Sequence, residues 1–179
     1  MAAGYWNGGE DSSAFVARTA ANRGPFLRSG DLGFLQEGRL FVTGRIKDVL
    51  IVDGVKHSPC DLEITSAESH RELRRFAGAA FAEDEGEGGA AIVLLQEVDR
   101  RLPAARHAEI IGGIRRAISE NHGIQARTVR LLIAGTLPRT SSGKIIRNEA
   151  RARYLRGQFR FSDVETGISC EPALAGVKE

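Results

Sequence analysis

Cysteine is nearly absent. The two in this 179-residue chain, Cys60 and Cys170, lie far apart and in no ligand-like spacing, which argues against a disulfide framework or a zinc site. No apolar run approaches the roughly 18 residues that a membrane span needs. Met1-Ala2-Ala3-Gly4-Tyr5-Trp6-Asn7 lacks the charged and then apolar segments of a secretory signal, so the expected compartment is the cytoplasm. A surplus of one charge is also missing. Against 25 Lys and Arg stand 23 Asp and Glu, a net +2. That balance argues against a dedicated nucleic-acid binder, although a sequence pI of about 8.7 leaves the class open. His57, His70, His107 and His122 form no His-x-x-x-His pair, which speaks against a metal site. No Gly-x-Ser-x-Gly elbow presents a serine nucleophile.

What is present suits a folded domain. At 42% hydrophobic residues the chain can bury a core, and its length fits one domain of mixed structure or one domain with appendages. Its 21 glycines punctuate rather than repeat. From Gly4 to Gly24 the pattern is weak, a loop with a short helix around Ser12 to Thr19. Phe34-Leu35 and Arg39 to Thr43 read as a hairpin turned by Gly38. Val49 to Val52 and Val55 to His57 read as a second, turned by Asp53-Gly54, the best short-range turn signal in the chain. Ser58-Pro59-Cys60-Asp61 begins a helix running to about His70, with Ser58 as cap and Pro59 in the first helical position. Two strands follow, Phe76 to Phe81 and Ala90 to Leu95, joined by the acidic glycine loop Glu83 to Gly89. Ile110, Ile111, Ile114 and Ile118 fall on one face of a helix spanning about Ala104 to Asn121, which Gly123 can end. Thr128 to Ile133 is a further strand. Leu137 to Gly143 has the composition of a mobile loop, a basic helix covers about Ile145 to Leu155, and the tail from Phe161 has little periodicity. The expected class is α+β, with short antiparallel sheets flanked by helices.

Three segments could carry chemistry. In Phe26 to Gly33, the carboxylate of Asp31 stands between a glycine and an apolar strand, where it could accept two hydrogen bonds from a ribose diol. An Asp after Gly is more often a turn residue. In Gly44-Arg45-Ile46-Lys47-Asp48, Arg45 could meet phosphate or ribose oxygens. The plainer reading is a solvated turn with a surface ion pair worth about 0–1 kcal/mol. In Leu137 to Ile145, Lys144 offers a point cation on a Ser/Thr/Gly loop. It is no P-loop lysine, because no glycine stands five residues before Gly143 and Ile145 replaces the Ser/Thr that would hold magnesium. A flexible exposed lysine is the alternative. The basic run Lys144, Arg147, Arg151, Arg153, Arg156 and Arg160 has few interleaved aromatics and reads as a solvated helix face before a nucleic-acid site.

Taken together and in this order, the three segments resemble the adenylate-forming enzymes: acyl- and aryl-CoA synthetases, luciferases and adenylation domains of peptide synthetases. Leu27-Arg28-Ser29-Gly30-Asp31-Leu32 is similar to their ribose-binding motif. Gly44 to Asp48, and on to Glu63, is similar to their hinge motif and the loop after it. Pro138 to Ile145 is similar to their catalytic-lysine motif, and Tyr5-Trp6-Asn7 to a segment just ahead. The likeness covers about Gly4 to Phe159. Within the family, His57-Ser58-Pro59-Cys60-Asp61-Leu62-Glu63, Leu95-Gln96-Glu97-Val98 and His122-Gly123-Ile124 resemble fatty acyl-AMP ligases most. The family's phosphate loop, its Tyr-Gly-x-Thr-Glu segment and its acyl pocket belong upstream of these residues.

The resemblance implies a C-terminal part of a longer enzyme, inactive by itself. Residues 1–46 would be the end of the large adenylation domain and 47–157 the small mobile domain; from its lack of periodicity, 158–179 is expected to be a disordered tail. The implied reaction is attack of a fatty acid carboxylate on the α-phosphate of ATP, giving acyl-adenylate and pyrophosphate. The acyl group then passes to the pantetheine thiol of an acyl carrier protein from a polyketide or lipopeptide assembly line. By position in the motifs, Lys144 would be catalytic, Asp31 would hold the ribose, Arg45 would support ribose or phosphate, Lys47 would be the hinge, and the Gly54 loop would face the pantetheine. ATP and Mg2+ would be bound mainly by the large domain, with no metal ligand here. Two alternatives stay open. One is the C-terminal domain of an acyl-CoA synthetase. The other is a non-catalytic module whose basic Arg151 to Arg160 face docks a carrier protein.

Overall fold

Glu37-Gly38 and Asp53-Gly54 each place two successive residues at positive φ, 51° and 74° in the first pair and 50° and 77° in the second. That is the backbone of the two-residue turn whose twist suits flanking antiparallel strands. The computed structural model describes residues 12–84 and 90–162. The Tyr5-Trp6-Asn7 segment, most of the acidic glycine loop, Cys170 and residues 163–179 lie outside them. The chain divides into two compact units, Met1–Val49 and Leu50–Glu179.

In the first unit a single 3-10 turn, Ser12–Phe15, precedes β1 (Asp31–Gln36) and β2 (Arg39–Arg45), which pair antiparallel with a register shift at Leu32/Gly33. Gly33 is required there, since a Cβ would come within 2.5 Å of the Phe41 carbonyl oxygen. Phe34 and Phe41 stack at 5.1 Å. The apolar side chains of this hairpin remain exposed, Leu35 at 74% and Leu40 at 68%.

The second unit opens with β3 (Leu50–Val52) and β4 (Val55–His57), then α1 (Pro59–Glu68). Ser58 caps α1 by accepting from the Asp61 N–H at 3.3 Å, and Pro59 occupies the first turn. Next come β5 (Gly78–Asp84), β6 (Ala90–Val98), α2 (His107–His122), β7 (Thr128–Ile133) and α3 (Arg147–Leu155). Gly123, at φ 67°, ends α2 in the left-handed conformation with its N–H on the Ser119 carbonyl.

β6 is the spine of the unit, buried on both faces. Ile92, Leu94 and Val98 join Leu62 of α1, and Ile110, Ile114 and Ile118 of α2, in the main core. Val93 and Leu95 face a second cluster with Phe81, Leu132, Leu137, Ala150 and Phe159. Helices α1 and α2 therefore cover one face of the sheet, while α3 and the segment after it cover the other. Gln96, fully buried, accepts from Ser66 Oγ at 3.0 Å and donates to the Ala77 carbonyl at 3.1 Å. Its polar atoms are satisfied, as burial requires.

Three expectations are corrected. The sheet is mixed: β5 pairs antiparallel with β6, but β6 pairs parallel with β7. The connection between β6 and β7 contains α2, and a crossover helix delivers the next strand in the same direction. The chain past residue 158 is not irregular from the start. Phe159 is buried, Phe161 bridges Leu132, and the Arg130 guanidinium lies 4.0 Å from the Phe161 ring centroid. Alternate aromatics find a slot at the sheet that periodicity over three residues could not reveal. Residues 137–143 are not an open loop either, as shown below.

His122 at the end of α2 lies 2.8 Å from Thr65 Oγ1 through its Nε2. Burial holds its imidazole below the ordinary value, the Asp61 charge opposes this, and His57 adds to it. A histidine kept neutral in the fold contributes stability that is complete above the unfolded value of about 6.5 and lost as pH falls through that value toward the lower native one. Urea unfolding at pH 7.5 and 5.5 should therefore show a loss on acidification that is smaller in His122→Asn. Equal losses in the two proteins would refute the assignment.

Candidate functional site

Asp31 and Arg45 are register partners across β1 and β2, and Arg45 Nε stands 3.2 Å from Asp31 Oδ1. The structure thus brings together two of the residues singled out in the sequence. Both side chains are partly exposed, so the pair orients the Asp31 carboxylate and leaves oxygen lone pairs facing solvent. Lys47 is the middle residue of a one-turn 3-10 helix, Ile46–Asp48, immediately ahead of the division between the two units. Gly54 sits at the exposed tip of the β3–β4 turn, and an added Cβ there would meet nothing within 4 Å. Its φ of 77° alone accounts for the glycine.

Lys144 is exposed, but its backbone is tightly held. Leu137 and Pro138 are buried, and Arg139 and Ile145 bridge antiparallel. Between them, the Gly143 N–H donates to the Thr140 carbonyl at 2.9 Å and the Thr140 N–H donates to the Lys144 carbonyl at 2.8 Å. The Lys144 N–H donates to Thr140 Oγ1 at 3.1 Å. The threonine and glycine of the segment thus close a turn, with Gly143 at φ 83°. What looked like a mobile loop in composition is a small closed hairpin carrying a lysine at its end. Polar residues used inside the turn resemble, in composition, polar residues free in solvent.

Two acid–base pairs root this hairpin, and neither was singled out from sequence. Glu97, 5% exposed at the end of β6, accepts from the Leu137 N–H at 2.8 Å and from Arg139 Nη2 at 2.7 Å. Arg139 Nη1 also donates to the Phe76 and Gly143 carbonyls, both at 3.1 Å. On the far side, Glu63 of α1 takes Arg147 Nε at 2.5 Å and Nη2 at 2.7 Å, and accepts from the Ala80 N–H at 3.0 Å. Both acids lie in segments quoted for the resemblance, but the pairings are hidden by distance along the chain, 84 positions for Glu63 and Arg147 and 42 for Glu97 and Arg139. The remaining arginines of α3 and the Arg156 that caps it are partly engaged: Arg153 and Arg156 reach Glu149, and Arg151 Nε donates to the Ala82 carbonyl. Burial, with Glu63 adding to it, pushes the Cys60 thiol up and keeps it protonated.

Residues 47–164 match the family described as Disco-interacting protein 2-like, AMP domain. The chain belongs to the adenylate-forming family. Among its relatives is the medium-chain-fatty-acid–[acyl-carrier-protein] ligase JamA of Moorena producens, 46% identical over 88% of this chain and 27% of that protein. Another is the long-chain-fatty-acid–AMP ligase FadD32 of Mycolicibacterium smegmatis, 34% identical over 92% of this chain and 31% of that protein. Among solved adenylate-forming structures, a fatty acyl-adenylate ligase from a study of the E. coli and L. pneumophila enzymes superposes with a TM-score of 0.62. It is 35% identical, over 73% of this chain and 22% of that one. The chain thus spans under a third of the length of each of these three. Among the described residues, no helix is long and apolar enough to cross a membrane, and no group of three or more His, Cys, Asp or Glu side chains is set to hold a metal ion.

Proposed function

We propose that this chain forms the C-terminal part of a fatty acyl-AMP ligase, with residues from about 47 onward acting as the small domain that brings Lys144 to the reacting groups. The observation that carries the reading is the hairpin at residues 137–146, which presents one cation from a fixed backbone. The reaction joins two anions, a fatty acid carboxylate and the α-phosphate of ATP, and builds negative charge on phosphoryl oxygens as pyrophosphate leaves. A lysine placed between them offsets the repulsion and the growing charge. Asp31 would accept from the ribose hydroxyls, its carboxylate oriented by Arg45, and a large adenylation domain would supply the acyl pocket, the phosphate loop and the Mg2+ site.

Transfer of the acyl group to a pantetheine thiol needs the lysine withdrawn and the Gly54 turn brought in. Lys47 stands where backbone dihedrals would absorb that rotation. The acceptor assigned here is an acyl carrier protein, a reading supported by the 46% identity to a ligase named for that acceptor. Fatty-acid-dependent ATP–pyrophosphate exchange tests the proposal. The 179-residue chain by itself should show none, and the chain joined to a large adenylation domain should show exchange that requires both fatty acid and ATP. Exchange that is absent from the joined protein with every fatty acid from C6 to C18 would overturn it.

A further inference from the structure

Building on that proposal, we infer that Glu97 and Arg139 are positioning residues for Lys144, forming a brace that fixes where the lysine stands during adenylation. Arg139 enters the hairpin and Gly143 is the last residue before the lysine. One guanidinium ties both ends: its own backbone is in the entering strand, and its Nη1 holds the Gly143 carbonyl at 3.1 Å. The same nitrogen holds the Phe76 carbonyl at 3.1 Å, while Nη2 holds the Glu97 carboxylate at 2.7 Å. The hairpin is thereby fastened to the chain just ahead of β5 and to the end of β6. These are three acceptors around a planar fork, a geometry that arginine meets and lysine does not.

The other end of the brace is anchored by burial. The Glu97 side chain is 4% exposed, and its second oxygen accepts from the Leu137 N–H at 2.8 Å. A carboxylate so enclosed holds to its donors, because water cannot replace them. Phe76 adds a strained element. It is a non-glycine residue at φ 60° and 81% exposed, and it keeps that conformation while its carbonyl accepts from Arg139. A cleft of about 330 Å3 lined by Arg74, Phe76, Asp99 and Arg139 runs along this brace and not around Lys144. Arg139 acts on the lysine through the backbone, by its bond to the carbonyl of the preceding Gly143. Catalysis by a placed charge tolerates little displacement, so the brace contributes to rate and not to substrate affinity.

The test uses the chain joined to a large adenylation domain, with the two half-reactions measured separately. Arg139→Ala should lower kcat for adenylation at least tenfold with KM for ATP and fatty acid within twofold. Acyl transfer from a supplied acyl-adenylate should be unchanged, and Arg139→Lys should restore only part of the loss. The double variant Arg139→Ala/Lys144→Ala should be no slower than Lys144→Ala, since the brace has no effect without the lysine. Glu97→Gln, which keeps one acceptor for Leu137 and loses the one for Arg139, carries the same test should Arg139→Ala fail to fold. In the 179-residue chain itself, Arg139→Ala should speed amide exchange at Gly143 and Lys144 tenfold and leave Thr128–Ile133 unaffected. An unchanged adenylation rate, or equal losses in both half-reactions, would overturn the brace. The two readings fail differently: full activity of Lys144→Ala defeats the proposed role of the lysine, whereas an inactive Lys144→Ala beside a fully active Arg139→Ala defeats only the brace.

Discussion

Replacing Lys144 with alanine, in the chain joined to a large adenylation domain, is expected to lower fatty-acid-dependent ATP–pyrophosphate exchange by about 10²–10³-fold, the range seen when one preorganised donor to a developing charge is removed. The effect is electrostatic. Carboxylate and phosphate approach each other carrying like charge, and a cation between them acts most strongly where that charge is concentrated, in the transition state. Stability should hardly change, because the side chain is exposed and substitutions at such positions usually stay within about 0.5 kcal/mol. The turn that carries it is closed by backbone groups and by Thr140, all of which survive the substitution. Lys144→Arg should recover a minor share, since a broad planar guanidinium does not replace a compact ammonium at one point. Transfer from preformed acyl-adenylate should proceed normally in both variants. Exchange retained at the parent rate in Lys144→Ala would show that the charge is not delivered from this residue.

The second large effect is on folding. Ile114 is fully buried on α2, in the core cluster that also holds Leu94 of β6 and Leu131 of β7. Ile114→Ala removes buried methyl and methylene groups and leaves a cavity between helix and sheet. The expected cost is about 2–5 kcal/mol. Against a total stability of about 5–15 kcal/mol for a domain, that is a large fraction, and the melting temperature should fall on the order of 10 °C. Leu40→Ala provides the contrast: Leu40 is 68% exposed on β2, and its removal should shift stability by less than about 0.5 kcal/mol. Urea unfolding of the three proteins, followed by the helical signal, checks both statements. An Ile114→Ala variant as stable as the parent would mean that α2 does not pack on the sheet through this residue.

Much of this was readable along the chain, and the reasons are local. Asp53-Gly54 can hardly be anything but a tight turn, because φ of 50° and 77° suits few residue pairs so well. Ser58-Pro59 starts a helix because one side chain caps it and the other lacks the N–H that would go unpaired. The isoleucines of α2 declare its buried face by spacing alone. Of the proposed site, Asp31, Arg45, Lys47, Gly54 and Lys144 are named by the resemblance of short motifs, whose residues are neighbours along the chain.

Tertiary structure decided what distance along the chain conceals. Only the fold put Arg45 on Asp31, since that pairing depends on β-register. Only the fold made the sheet mixed, by sending α2 across it. It also turned a polar stretch that reads as a loose loop into a closed hairpin. The buried carboxylate behind that hairpin, Glu97, stands 42 positions before the arginine it holds, and a charge becomes a strong anchor only once folding has removed its water. Motif resemblance names the lysine; a buried acid far along the chain holds the arginine that bonds the backbone just before it.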